Sequence, residues 1–285
     1  MLSRKKKLEI PVYLFMGFLE AGKTTFIQET LEEDYFNDGE RTLLFACEEG
    51  MEEYDEELLK RTNTTVVYVE EQEDFNTEFL TSKLLQYYPD RVIIEYNGMW
   101  LVSNFEKMQL PKGWGVEQQI TCVDGSTFQM YMANMKSIFM DMIKNTDMVI
   151  FNRCKQDDPL PTYRRGIKVA NQRAEVIFED EEGELDDIFQ DEMPFDMGAP
   201  VIEILPEDYG IWFVDAMDHP ENYDGKTVRF KARVMKPRGM GSKFFVPGRT
   251  AMTCCADDTT FLGYVCKSAY APKLTPGQWV DVTAR

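Results

Sequence analysis

Residues 10–29 read IPVYLFMGFLEAGKTTFIQE, and this stretch decides the fold. An apolar run over residues 10–16 leads into a loop bounded by glycines, and a segment of helical character follows. The loop matches the pattern GxxxxGK(S/T), with Gly17, Gly22, Lys23 and Thr24 at the defining positions. A loop of this kind turns its backbone N–H groups toward phosphate oxygens, and the helix N-terminus adds a favourable dipole. The stretch therefore predicts a P-loop that binds the phosphates of a nucleotide.

The side chains of this loop have separate expected tasks. Lys23 reaches the β and γ phosphates and is the first expected catalytic residue, whereas the Thr24 hydroxyl is an expected Mg²⁺ ligand. The loop residues expected to bind the nucleotide are Gly17, Glu20, Ala21, Gly22, Lys23, Thr24 and Thr25.

Strand-like and helix-like segments alternate through the first 180 residues. Apolar runs recur at residues 42–47, 65–69, 92–95, 120–123, 148–151 and 175–178, with helix-like stretches at 23–33, 51–61, 75–88 and 126–145. Continuous apolar runs are typical of strands that are buried on both faces, as a parallel sheet requires. The alternation predicts an α/β fold, namely a P-loop NTPase with a mainly parallel, doubly wound sheet.

The pattern changes near the C-terminus. In residues 228–234 apolar and basic residues alternate, which is typical of a half-buried antiparallel strand. We expect a P-loop NTPase domain over residues 1–205, a linker over 206–219, where Pro, Asp and Gly accumulate, and a small all-β, β-barrel-like domain over 220–285.

Polar residues at the ends of later strands are the other expected parts of the site, because ligands bind at the carboxyl ends of strands in open α/β sheets. Glu95 ends one run, where a carboxylate can hold Mg²⁺ or orient the attacking water, and Gly98 follows it with an N–H for the γ phosphate. Asn152 and Arg153 follow another run, where a loop that recognises the base is expected. The turn at residues 47–50 is a further candidate contact loop.

Charge and hydropathy exclude several classes of protein. The chain has 31 Lys and Arg against 50 Asp and Glu, a formal net charge of −19, which argues against nucleic acid as a partner of the whole molecule. No uninterrupted apolar stretch approaches the roughly 20 residues of a membrane helix. We find no signal-peptide pattern, so we expect a cytoplasmic protein without membrane insertion.

The chain resembles the CobW-like metallochaperone GTPases, relatives of UreG and HypB in the P-loop class. The resemblance covers roughly residues 10–205 and rests on GFLEAGKTT at 17–25, IIEYNG at 93–98, CVDGSTF at 122–128 and TDMVIFNR at 146–153. It implies that the protein binds GTP and Mg²⁺ and hydrolyses GTP. It also implies that the nucleotide controls zinc-type metal homeostasis, or delivery of a metal to a client metalloprotein.

Two departures from the family pattern concern the motif that binds the metal and the motif that recognises the nucleotide base. The CxCC metal motif is missing, since Cys47 is the only cysteine in the region where it belongs. The NKxD motif is replaced by Asn152-Arg153-Cys154-Lys155, and lysine cannot accept the hydrogen bonds that guanine donates to the family's aspartate. Asp157 or Asp158 is a candidate to replace the missing aspartate as the hydrogen-bond acceptor.

The C-terminal part is similar to the small OB-like domain of a bacterial family associated with permeases and metal homeostasis. Cys254 and Cys255 are its candidate Zn²⁺ ligands, and the alternative is two strand cysteines that face opposite sides. This domain has 11 basic against 5 acidic residues from position 221 onward. The alternative function is thus a nucleotide-dependent binding module with little turnover, whose OB-like domain binds a protein or a single-stranded nucleic acid.

Overall fold

The structure is a computed structural model that describes residues 10–185, 193–252 and 259–285. It divides into two compact units. The first comprises Met1–Asp158 with Arg173–Asp186, and the second comprises Pro159–Gln172 with Asp187–Arg285.

The first unit is built on a sheet of seven parallel strands. The strands are β1 (Ile10–Met16), β2 (Thr42–Ala46), β3 (Thr64–Tyr68), β4 (Arg91–Glu95), β5 (Trp114–Asp124), β6 (Met148–Asn152) and β7 (Glu175–Phe178). Their order across the sheet is β3-β2-β4-β1-β5-β6-β7. Every residue of β2 and β4 is buried, including the charged residues Arg91 and Glu95 at the two ends of β4.

Helices connect these strands. They are α1 (Lys23–Glu32), α2 (Glu56–Arg61), α3 (Thr77–Tyr87), α4 (Val102–Lys107), α5 (Phe128–Asn134) and α6 (Lys136–Ile143). One core cluster joins Phe15, Ile27, Leu44, Ile93 and Ile150 from α1 and the neighbouring strands. Each such side chain contributes about 1.5–3 kcal/mol when it leaves water. The predicted fold class of this part, a P-loop NTPase sheet, is confirmed.

Helix α2 is shorter than the sequence suggests. We expected a helix over residues 51–61, but α2 begins at Glu56 because the Asp55 carboxylate accepts hydrogen bonds from the N–H groups of Glu57 and Leu58. Residues 47–55 therefore form a loop, which we call the β2–α2 loop.

The sheet order brings distant parts of the sequence to one edge. Phe15 of β1 is level with Glu95 of β4, and Ala46 of β2 is level with the same Glu95. Asp124 and Asn152 are level at the ends of β5 and β6. Because parallel strands end on the same side, the P-loop, the β2–α2 loop and the ends of β4, β5 and β6 meet at one edge.

The described residues of the second unit form a separate mixed β-sheet and the α-helices α7 (Leu160–Ala170) and α8 (Tyr209–Asp218). The strands are β8 (Ile202–Ile204), β9 (Val228–Met235), β10 (Phe244–Met252), β11 (Thr259–Gly263), β12 (Cys266–Lys267) and β13 (Trp279–Ala284). Strand β9 buries Phe230, Ala232 and Val234 and exposes the basic residues between them, as the alternating pattern predicts. The sheet is mixed because β8 pairs parallel to β9, whereas β10 and β13 pair antiparallel to it.

The stretch expected to be a linker is mostly helical. Its Pro, Asp and Gly content is typical of a loop, but Tyr209, Trp212 and Phe213 have the spacing that places side chains on one helical face, and all three are buried. They pack with Phe230 and Val282 in the core of the second unit. That residues 1–205 and 220–285 are separate folding domains stays a prediction.

Candidate functional site

The P-loop spans residues 17–22 between β1 and α1, and two glycines make its course possible. Gly17 and Gly22 have φ angles of +139° and +86°, which side chains rarely allow. A Cβ at Gly17 would lie 2.3 Å from the carbonyl oxygen of Cys122, and one at Gly22 would lie 2.5 Å from Asn152 Nδ2. The pattern in the sequence therefore corresponds to a steric requirement.

Lys23 begins α1 and is buried, with 3% of its surface exposed. Its Nζ donates hydrogen bonds to the carbonyl oxygens of Gly17 (2.9 Å) and Phe18 (3.0 Å) and contacts Glu48 Oε2 at 2.5 Å. The other oxygen of Glu48 accepts the backbone N–H of Gly98 at 3.2 Å. Sequence reasoning pointed to the turn at residues 47–50 but not to this bridging carboxylate.

Thr24 and Glu95, the two expected Mg²⁺ ligands, are in direct contact. Thr24 Oγ1 donates to Glu95 Oε1 at 2.7 Å, and the Tyr54 hydroxyl donates to Glu95 Oε2 at 2.7 Å. Glu95 is 4% exposed, and this burial raises the pKa of its carboxyl group although both hydrogen bonds favour the charged form. Burial likewise raises the pKa of Tyr54, so its hydroxyl stays a donor. Sequence reasoning missed Tyr54, which lay inside the expected helix.

Asn152 and Arg153 contact the P-loop from the end of β6. Asn152 Nδ2 donates to the carbonyl oxygen of Ala21 at 2.9 Å, and its buried Oδ1 has no hydrogen-bond partner within the described part of the chain. Arg153 Nη1 donates to the carbonyl oxygen of Glu20 (2.8 Å) and to Asp124 Oδ2 (2.6 Å). Burial would raise the pKa of Asp124, but hydrogen bonds from Ser126 and Arg153 outweigh it and hold that pKa below its usual value.

The remaining expected residues also lie at this edge. The Glu20 carboxylate accepts the N–H of Met51 at 2.8 Å and so connects the P-loop to the β2–α2 loop. One cleft of about 160 Å³ is lined by several of the predicted residues, namely Glu20, Gly22, Lys23, Thr24, Thr25, Glu95 and Arg153. Their roles in binding and catalysis stay predictions.

The Asp residues proposed to replace the missing aspartate differ in their surroundings. Asp158 Oδ2 accepts the N–H of Lys155 at 2.8 Å and closes the turn after Arg153, whereas Asp157 is exposed. One of the two candidate carboxylates thus already has a structural partner.

The predicted zinc ligands Cys254 and Cys255 lie outside the described residues. Cys47, Cys122 and Cys154 are buried free cysteines, and burial raises the thiol pKa of each, that of Cys122 and Cys154 to about 12. Among residues 10–185, 193–252 and 259–285, no group of three or more His, Cys, Asp or Glu side chains is placed to hold a metal ion.

The geometry defines a class of protein, one that binds a nucleotide at a P-loop. A family model described as "CobW/HypB/UreG, nucleotide-binding domain" matches residues 11–178, which is more than half of the chain. The chain belongs to the CobW/HypB/UreG family, and the resemblance inferred from its motifs is confirmed. A second model, described as "DUF1980 C-terminal domain", matches residues 182–285.

Two solved structures illustrate what the chain is similar to. The zinc-bound YjiA GTPase from E. coli is 17% identical, with 91% of this chain and 89% of that chain covered and a TM-score of 0.48. The hydrogenase maturation factor HypB from Archaeoglobus fulgidus is 14% identical, with 61% and 83% covered and a TM-score of 0.44. No curated protein matches the chain. Within the described residues, no helix has the length and apolar character needed to cross a membrane.

Proposed function

We propose that this protein is a Mg²⁺-dependent GTPase. The observation that carries the proposal is the contact between Thr24 Oγ1 and Glu95 Oε1, 2.7 Å apart, in the same cleft as Lys23. These three groups are the parts that phosphoryl transfer from a P-loop nucleotide needs, namely a cation for the phosphates and oxygen ligands for a metal ion.

The donor set fits Mg²⁺. A hydroxyl and a carboxylate are hard oxygen ligands, and Mg²⁺ typically takes one or two carboxylates together with water and substrate phosphates. Thr24 and Glu95 would hold the ion, which when bound neutralises the charge of the transferred phosphoryl group.

The chain's own groups account for the other requirements. Lys23 neutralises phosphate charge at the N-terminus of α1. The Gly98 N–H, which donates to Glu48 Oε1 in this structure, is the proposed donor to the γ phosphate. The Tyr54 hydroxyl fixes the orientation of Glu95. Arg153, the guanidinium in this cleft, is already bonded to Asp124 and to the Glu20 carbonyl, so we expect slow intrinsic turnover.

Guanine is the proposed base, with a smaller preference over adenine than an intact NKxD loop gives. Asn152 has a free buried oxygen beside the P-loop, and Arg153 can cover the face of the base. Lys155 replaces the aspartate, and loss of hydrogen bonds to a charged acceptor forfeits about 1.5–3 kcal/mol of selectivity.

Family membership supports a coupling between the nucleotide and metal homeostasis. We infer that bound GTP or GDP alters how the protein engages a client metalloprotein, with zinc as the metal class. The zinc ligands would be Cys254 and Cys255, because the described cysteines of the first unit are buried and burial raises the pKa of their thiols.

The test is phosphate release from GTP and from ATP by the full-length protein, with Mg²⁺ and with a chelator. We expect Mg²⁺-dependent release that is faster with GTP, and its abolition in Lys23→Ala. Lys60→Ala is the matched control, because Lys60 is an exposed residue of α2. If Lys23→Ala releases phosphate from GTP as fast as the natural chain does, the proposal is wrong.

An open groove in the second unit favours the alternative of a binding module. It has a volume of about 1240 Å³ and is lined by aromatic residues that include Trp212, Tyr264 and Tyr270. The basic residues of β9 are partly used within the unit, since Arg229 pairs with Glu203 at 2.7 Å. Binding of a labelled single-stranded oligonucleotide, measured by fluorescence anisotropy with and without GTP, distinguishes this function from that of a GTPase.

A further inference from the structure

The Glu48 carboxylate lies between two groups that the P-loop chemistry directs at a γ phosphate. Its Oε2 contacts Lys23 Nζ at 2.5 Å, and its Oε1 accepts the Gly98 N–H at 3.2 Å. Only 10% of its side chain is exposed. One anionic side chain therefore bridges the cation and the backbone donor of the site.

All hydrogen-bonding capacity of the Lys23 ammonium group is used in this arrangement. An ammonium group has three N–H donors, and Lys23 has three partners, namely the Gly17 and Phe18 carbonyls and Glu48. The two carbonyl partners belong to the P-loop itself. A γ phosphate that approaches Lys23 must therefore displace Glu48, because two anions cannot share these donors without strong repulsion.

Glu48 is held in a segment that contacts the nucleotide site at several points. The Cys47 N–H donates to the carbonyl oxygen of Glu95 at 2.9 Å, and Asn97 Nδ2 donates to the carbonyl oxygen of Cys47 at 3.0 Å. Further along the same β2–α2 loop, Met51 is bonded to Glu20 and Tyr54 to Glu95. Displacement of the Glu48 side chain thus acts on a loop that is fixed to the P-loop and to β4.

We propose that Glu48 is an internal competitor of the γ phosphate and a determinant of the preference between diphosphate and triphosphate. The β phosphate of a nucleoside diphosphate competes with Glu48 for Lys23 alone and leaves the Gly98–Glu48 contact in place, whereas a triphosphate competes for both Lys23 and the Gly98 N–H. The bridge lowers the affinity for triphosphate selectively and makes the β2–α2 loop sensitive to which nucleotide is bound. This inference rests on the proposed function, since it requires a nucleotide at the P-loop.

The test compares the Kd of GDP with that of a slowly hydrolysed GTP analogue, both with Mg²⁺, by calorimetry on the full chain. In Glu48→Gln the amide keeps the shape but removes the charge that attracts Lys23. We expect the analogue to bind about tenfold tighter than to the natural chain, a change of about 1.4 kcal/mol. GDP affinity should change by less than about threefold, which corresponds to less than about 0.7 kcal/mol. Glu53→Gln is the matched control, because Glu53 is an exposed residue of the same loop. In this variant the ratio of the Kd of GDP to the Kd of the analogue, the affinity ratio, should equal that of the natural chain.

A second readout follows the loop itself. In the natural chain, the backbone amides of residues 47–55 should exchange their hydrogens faster with the analogue bound than with GDP bound. This difference in exchange rate should be lost in Glu48→Gln. Glu48→Ala, checked for folding by circular dichroism, should shift the affinity ratio in the same direction as Glu48→Gln.

Three outcomes separate the hypotheses. An unchanged affinity ratio in both Glu48 variants overturns the inference and leaves the GTPase proposal intact. Weaker binding of the analogue to folded Glu48→Gln also overturns it, because Glu48 would then assist the triphosphate. If neither nucleotide binds the natural chain, the proposed function fails, and the inference fails with it.

Discussion

Thr24 Oγ1 and Glu95 Oε1 are 2.7 Å apart, although 71 positions separate the two residues in the sequence. The contact exists because β1 and β4 are adjacent parallel strands, and Phe15 and Glu95 are level in their register. A residue at the start of α1 and a residue at the end of β4 therefore meet at the same edge of the sheet.

Replacement of Glu95 by glutamine should separate nucleotide binding from turnover. We expect Glu95→Gln to bind GTP, because Lys23 and the P-loop backbone are unchanged, while Mg²⁺-dependent turnover falls at least about tenfold. Phosphate release under saturating GTP measures this effect, with Glu53→Gln as a control for the loss of one negative charge. Full activity in Glu95→Gln would mean that the carboxylate has no part in the reaction.

The same substitution should stabilise the fold in a manner that depends on pH. Burial raises the pKa of Glu95 above its unfolded value of about 4.5, so the charged carboxylate lowers the free energy of unfolding at neutral pH. This destabilisation by the charged Glu95 is complete above the pKa that Glu95 has in the folded state. It disappears as the pH falls below the pKa of the unfolded state. We expect Glu95→Gln to have a higher Tm than the natural chain at pH 7.5. Each 1 kcal/mol gained in the free energy of unfolding should raise the Tm by about 2–4 °C. Thermal unfolding in chelator at several pH values should show the difference shrinking toward pH 4.5, and a constant difference would contradict the prediction.

Gly98 should not tolerate a side chain. A Cβ at this position would lie 2.5 Å from the Gly17 carbonyl oxygen and 2.8 Å from Phe18 Cα, both of which are backbone atoms of the P-loop. We expect Gly98→Ala to lower the free energy of unfolding by about 1–3 kcal/mol and to weaken nucleotide binding. Urea unfolding and GDP titration measure the two effects.

The matched control for that substitution is Gly166→Ala. Gly166 lies within α7, and a Cβ there would meet nothing within 4 Å. Alanine in a helix should be neutral or should raise stability by about 0.5–1 kcal/mol. Equal stability of Gly98→Ala and the natural chain would show that the P-loop backbone moves to accommodate the methyl group.

Stoichiometric zinc, if the chain binds it, should depend on Cys254 and Cys255. Elemental analysis of the full chain after dialysis should find less zinc in Cys254→Ser/Cys255→Ser than in the natural chain. The amount of bound zinc should also fall as the pH is lowered, because thiolate ligands become protonated. Cys47→Ala is the control, since Cys47 is buried in the first unit and burial raises its pKa. Equal zinc in the double variant and the natural chain would assign those cysteines a structural role.

Local sequence was enough to predict the class of fold and the P-loop. The spacing from Gly17 to Thr24 and the apolar run before it are properties of neighbouring residues, and the seven parallel strands follow from similar runs. The alternation along β9 likewise identified its buried face. Local composition was misleading at α8, because burial of Trp212 and Phe213 outweighs the loop character of the surrounding Pro and Asp residues.

The amino-acid sequence by itself determined that a phosphate loop follows β1 and that a carboxylate ends β4. Only the tertiary structure decided that Tyr54 bonds to Glu95 and that Glu48 bridges Lys23 and Gly98, since these partners lie 25 to 50 positions apart. The physical reason is that steric demands and periodicity act between neighbours in the chain, whereas side-chain partners depend on which strands become adjacent. Asp55 illustrates the difference, because its capping bonds make α2 begin at Glu56 and leave Tyr54 in a loop that can reach β4.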